Sequence, residues 1–184
     1  MYVFSNYASK GISSFPPGID CSHIESLDLE NNFLTNLDFL DTNSFQELWC
    51  LDCSNNKLVS LAGISSFPVL GLLDISHNNV KWSEILKLRK NIILDFRING
   101  NPQLQIQYRP IVIYLLPYVW AIDGWFISSY ERARAAQWVS IGEGKKLYKQ
   151  VRNVLDELIV HSNLDNKQRI KRNSNADQTY FRRT

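Results

Sequence analysis

Cys50 and Cys53 have the C-x-x-C spacing of a redox pair or of half a zinc site. Either chemistry needs both sulfurs on one side of the backbone. The surrounding residues, LWCLDCSN, read as a strand, and side chains three apart on a strand point to opposite faces. The two thiols therefore cannot share a metal or close a disulfide without breaking the strand. Cys21 is the one other cysteine, and His23, His77 and His161 are isolated. Gly142-Glu-Gly-Lys145-Lys146 has the composition of a phosphate loop but lacks the G-x-x-x-x-G-K-[ST] spacing and a preceding strand. It reads as a helix break with solvated lysines. There is no G-x-S-x-G, and no paired carboxylates stand outside a repeating pattern. The expectation is a chain that is not an enzyme, with no cofactor, no metal and no small-molecule substrate.

The repeating pattern is the informative feature. Four segments fit the template L-x-x-L-x-L-x-x-N-x-L. They are Ile24, Leu27, Leu29, Asn32, Leu34; then Leu48, Leu51, Cys53, Asn56, Leu58; then Leu70, Leu73, Ile75, Asn78, Val80; and then Ile93, Phe96, Ile98, Asn101, with Leu104 displaced past Pro102. The asparagines are 24, 22 and 23 residues apart. The hexapeptide GISSFP, at 11–16 and again at 63–68, falls in the convex segment of two coils. Tyr2–Ile12 reads as a degenerate or truncated first repeat with Lys10 in the asparagine position. The chain thus opens inside a repeat, as a truncated product would. No single coil can bury its own apolar face, so such coils must stack. An inward asparagine offers two donors and an acceptor to backbone groups of its own turn and of the next coil, which a leucine could not.

With this template and period, the sequence resembles the leucine-rich repeat family, in its short intracellular subclass of about 22 residues per repeat. After Asn101 the pieces Asn101-Pro102, Tyr108-Arg109, Leu116-Pro117, Ile122-Asp123-Gly124 and Glu131-Arg132 resemble the cap that closes such repeats in a phosphatase-1 regulator, a spliceosomal leucine-rich protein, acidic nuclear phosphoproteins and an axonemal light chain. The resemblance spans roughly residues 20–135. It implies an α/β fold, a short horseshoe solenoid with parallel strands on its concave face, a C-terminal cap and a helical extension. The expected units are repeats over 1–104 (four clear, one degenerate at the N-terminus), the cap over 105–127, helices over 128–161 and a basic, disordered tail over 162–184.

The residues of the cap support the same reading. Ile111, Val112, Leu115 and Leu116 fall at helical spacing, and Pro117 stops the helix. Tyr118–Ile122 reads as extended and Asp123-Gly124 as a turn, with Trp120, Trp125 and Phe126 expected within the lid. Ser128 or Ser129 caps a following helix, with Glu131 near its positive end. Gly142 and Gly144 then break the pattern, after which Leu147, Val151, Val154, Leu155, Leu158 and Ile159 form an apolar stripe. The tail holds six Lys or Arg against two Asp.

The 184 residues are 45% apolar and 21% charged with a net charge of +2, a globular composition that excludes a basic nucleic-acid wrapper. The longest apolar run, Ile111–Ile122, holds twelve residues and a proline, against about 20 for a membrane span. No membrane association is expected. With no basic-then-apolar leader, no Asn-x-Ser/Thr sequon and few cysteines, the expected location is intracellular and cytoplasmic, nuclear or ciliary placement remaining compatible.

The expected working surface is the concave face. It is formed by Ser26, Cys50, Leu72 and Asp95 at the third template position, Asp28, Asp52, Asp74 and Arg97 at the fifth, and Glu30, Ser54, Ser76 and Asn99 at the seventh. Beneath it Asn32, Asn56, Asn78 and Asn101 form a structural ladder. Stacked aspartates would lie ~5 Å apart and favour a cationic group. The expected role is a non-catalytic interaction module or scaffold subunit that binds another protein through a basic or amphipathic helix. A ribonucleoprotein subunit with an RNA-binding partner and a ciliary or cytoskeletal component are the alternatives, the former with indirect RNA association.

Overall fold

A computed structural model describes residues 3–41, 43–104 and 107–153. The strands are β1 (Phe4–Asn6), β2 (Ser26–Asp28), β3 (Cys50–Asp52), β4 (Val69–Asp74), β5 (Ile92–Arg97), β6 (Ala121–Ile122) and β7 (Trp125–Phe126). They form one sheet in chain order, parallel from β1 to β6 with β7 antiparallel at the edge. The α/β solenoid expected from the repeats is therefore the observed fold. It holds more strands than the four clear repeats supply, because the degenerate segment contributes β1 and the cap contributes β6 and β7.

Register follows the template. Ser5, Leu27, Leu51, Leu73 and Phe96 are opposite one another, and the four large apolar members of that row are buried. Leu29, Cys53, Ile75 and Ile98 form a second inward row, all at 0% exposure. Burying each such side chain is worth roughly 1.5–3 kcal/mol. The convex returns are short. They hold 3-10 turns at Ala62–Ser66 and Leu88–Lys90 and the one-and-a-half-turn α1 (Trp82–Lys87). The second GISSFP copy overlaps the first of these turns, with Phe67 buried.

The asparagine ladder is continuous. Asn78 Nδ2 donates to the carbonyls of Cys53, Ile75 and Ser76, and its Oδ1 accepts from Leu58 N–H. Asn56 bonds Leu29, Cys53, Ser54 and Leu34 in the same way. Asn101 bonds Ile75, Ile98 and Val80. Asn32 reaches back to the degenerate coil, where its Oδ1 accepts from Lys10 and Ile12 N–H. A second ladder runs beside the first. The residues just before these positions, Ser9, Asn31, Asn55, His77 and Gly100, all have φ between 53° and 69°. The turn out of each strand needs left-handed backbone, which Asn, His and Gly tolerate best.

The far end is closed by α2 (Tyr108–Leu115), whose Ile111, Val112 and Ile113 are buried. Behind it lie α3 (Ser129–Trp138) and a helix α4 over 142–153. Ser128 Oγ accepts from Glu131 N–H at the start of α3. The expected break between the two helices falls at 139–141, with Gly142 at φ 53° where α4 starts, whereas Gly144 lies inside α4 and not in the break. At Gly144 a Cβ would sit 2.1 Å from the Trp138 carbonyl oxygen, so only glycine allows this approach. Trp120, Trp125 and Phe126 do lie on the β6–β7 edge of the cap, but they are 61%, 75% and 83% exposed, and among the described residues nothing covers the outer side of these two-residue strands. Leu147 and Val151 pack back onto the core. Val154, Leu155, Leu158, Ile159 and the basic tail lie outside the described residues.

Candidate interaction surface

The concave face is built from three outward rows. The third-position row runs Phe4, Ser26, Cys50, Leu72, Asp95, Ala121. Phe4 is exposed, and Ser26, Cys50, Leu72 and Asp95 are half-buried. At the N-terminal ends of the strands a rim adds Trp49. Its indole lies over Gly71, where a Cβ would meet the ring at 2.1 Å. Phe4 adds a third apolar member to Cys50 and Leu72 in the third-position row, with Ser26 between them and Asp95 beyond, and Trp49 stands at its edge. Cys50 and Cys53 face opposite ways, half-buried and buried, and both are free thiols. Burial pushes the Cys53 thiol well above its ordinary range. Among the described residues no cluster of His, Cys, Asp or Glu could hold a metal.

The fifth-position row runs Asn6, Asp28, Asp52, Asp74, Arg97. Each aspartate has a structural task as well. Asp28 Oδ1 accepts from Glu30 N–H, Asp52 Oδ1 from Ser54 N–H, and Asp74 Oδ1 from both Ser76 N–H and Ser76 Oγ. Asn6 does the same for Ala8. Where Arg97 breaks the row, Asp123 of the cap supplies the missing acceptor to Ile98 and Asn99 N–H.

The open area is smaller than twelve residues suggest. Asp74, Ser54 and Ser76 are 5–7% exposed, shielded by their own turns and neighbours. Burial holds the Asp74 carboxyl above the usual carboxylate range, with the Ser76 hydrogen bonds and Arg97 opposing and Asp52 reinforcing. Arg97 pairs with Asp95 at 3.1 Å and approaches Asp74 at 3.7 Å, so its charge is already met. Glu30 accepts from Asn55 Nδ2, and Asn99 is exposed at the end of the row. Asp28 and Asp52 have no ion pair among the described residues.

The cap motif acts as a polar lock. Tyr108 Oη donates to Asp123 Oδ2 at 2.5 Å, and burial together with this bond raises the Tyr108 hydroxyl far above its ordinary pKa. Arg109 spans three elements. It donates to both oxygens of Glu131, at 2.7 and 3.1 Å, and to the carbonyls of Ile122, Trp125 and Phe126. Arg132 donates to the carbonyls of Pro117 and Val119. Sequence pieces up to 25 residues apart are thereby tied to the last coil.

No family model matches the chain, and no curated protein matches it. Among solved structures, a chain in the crystal structure of the Drosophila melanogaster SNF/U2A' complex matches with a TM-score of 0.66 and 22% identity, covering 78% of this chain and 85% of that one. A chain of the Chaetomium Mex67:Mtr2 subunits matches with a TM-score of 0.28 and 20% identity, over 64% and 69% of the two chains. The first likeness is one of fold. The chain folds as a capped leucine-rich repeat solenoid, similar in architecture to that member of the SNF/U2A' complex.

Proposed function

We propose that the chain is a non-catalytic protein-interaction module whose concave face holds a basic, amphipathic helix of another protein. The observation that carries this reading is the division of the face into two parallel strips. Phe4, Cys50 and Leu72, with Ser26 between the first two and Trp49 on the rim, form a largely apolar strip across the strands. One step along the strands, Asp28 and Asp52 form an acidic strip without ion-pair partners among the described residues. A helix laid across the strands would set its apolar stripe on the first and Lys or Arg side chains on the second.

Dimensions agree. Six parallel strands at about 4.8 Å spacing span about 24 Å, the length of a helix of about 16 residues. That the chain of similar fold was solved within a complex supports a role in assembly. A ribonucleoprotein subunit acting with an RNA-binding protein is one form such an assembly could take.

The test uses the full chain as bait in cell extract. Asp52→Lys combined with Leu72→Glu should lose the captured protein, whereas Ala62→Glu on the convex side should keep it. Retention of every partner by the concave variant refutes the assignment.

A further inference from the structure

Behind the cap, α2, α3 and α4 enclose a groove of about 530 Å³. Lys145, Lys149 and Arg152 line one wall, at positions i, i+4 and i+7 of α4, and therefore share a face. All three are exposed. Lys146, on another face, pairs with Glu143 at 2.9 Å. The three groove cations have no carboxylate partner among the described residues, and no acidic residue lines the groove. Like charges at these spacings repel one another, so the wall favours an anion that spans them. The opposite wall is Tyr114 of α2. Its ring meets Tyr148 edge-to-face with centroids 5.1 Å apart and an interplanar angle of 82°, and it remains 44% exposed.

We infer that this groove binds single-stranded nucleic acid. Lys145, Lys149 and Arg152 would meet successive phosphates, and a base would stack on Tyr114. The cations extend about 10 Å along α4, which matches about three nucleotides of a stacked strand. A solvent-open aromatic ring beside a row of cations without carboxylate partners among the described residues is the arrangement that binds single strands without base-edge readout. An acidic peptide or an anionic membrane would use the cations and leave the ring idle. After position 153 the chain holds six Lys or Arg, all within 162–184, against Asp156, Glu157, Asp165 and Asp177.

The test is fluorescence anisotropy of the full chain with labelled oligouridylate and oligodeoxythymidylate, read over a salt series. Lys145→Gln/Lys149→Gln/Arg152→Gln should weaken binding at least about tenfold and reduce the slope of log K against log salt by about 2, three phosphates at about 0.7 each. Tyr114→Ala should lose about five- to hundredfold, and Tyr114→Phe should restore it, because the ring and not the hydroxyl does the stacking. Lys146→Gln should leave affinity unchanged. Circular dichroism verifies that each variant is folded.

Wild-type affinity in the triple variant, or no binding by wild type at low salt, overturns the inference, whatever the tail binds. Loss in the triple variant without loss in Tyr114→Ala, or tighter capture by phosphatidylserine vesicles than by either oligonucleotide, overturns the occupant named. None of these substitutions touches the concave face, so failure here and failure of the concave reading are separable.

Discussion

Asn78→Ala isolates the contribution of a single rung in the ladder. The side chain is buried and makes four hydrogen bonds. Its three carbonyl acceptors each keep another donor. Cys53 O also accepts from Asn56, Ile75 O from Asn101 and Ser76 O from Asn55 N–H. Leu58 N–H has no such substitute and would be left buried without an acceptor, at a cost of about 1–3 kcal/mol. Three shared bonds at about 0.5 kcal/mol each bring the expected loss to about 3 kcal/mol. Asn32→Ala should cost less. The amides that it serves, on Lys10 and Ile12, belong to the part-buried terminal coil, where water can replace the amide oxygen. Urea unfolding of both variants beside the wild type measures the difference. A loss below about 1 kcal/mol for Asn78→Ala, or equal losses at the two sites, would refute the argument that satisfying buried backbone is what the ladder does.

Two further outcomes follow from charges that burial or pairing perturbs. Asp74 has a folded pKa above its unfolded one, so its contribution is full at low pH and is lost as pH rises through the folded value. Asp74→Asn keeps an acceptor for Ser76 and removes that loss. Unfolding free energies should therefore shift in the variant's favour from about pH 3 to about pH 7, and the opposite trend would show that Arg97 outweighs burial. Arg109→Ala should destabilise by about 2–3 kcal/mol, since it strips a bidentate partner from Glu131 and a donor from Ile122 O. Arg109→Lys should recover less than half of this, for want of the planar fork. The hydrogen bond to Arg109 holds Glu131 below the usual carboxylate range, a stability present above the unfolded pKa and lost as pH falls. The acid-side decline should accordingly be shallower in Arg109→Ala.

The coils were legible because every repeat meets the same demand. Two inward apolar rows and one amide must recur at each turn, and Leu27, Leu51, Leu73 and Phe96 satisfy it at matching positions. Even Phe4–Asn6, without its asparagine, could be placed. What was not legible depends on what stands opposite a residue. Trp120, Trp125 and Phe126 are as apolar as core residues, and composition does not say which side of a two-residue strand is covered. Asp74 and Asp52 occupy equivalent template positions, yet only Asp74 has Arg97 beside it and is buried. The left-handed turns at Asn31, Asn55, His77 and Gly100 did leave a signal, a run of tolerant residue types one position before the ladder. The groove left none, since Tyr114 and Lys145 are 31 residues apart and only the packing of α2 on α4 brings them together.

The central claim, that the hollow of the solenoid holds a partner helix, is tested most directly by site-specific photo-crosslinking. A photoreactive amino acid at position 72, on the apolar strip, and another at position 62, on the convex return, are compared in the full chain in cell extract. A crosslinked partner is expected from position 72 and none from position 62, with the crosslinked peptide amphipathic and rich in Lys or Arg. A partner crosslinked from position 62 alone, or equally from both, would contradict it.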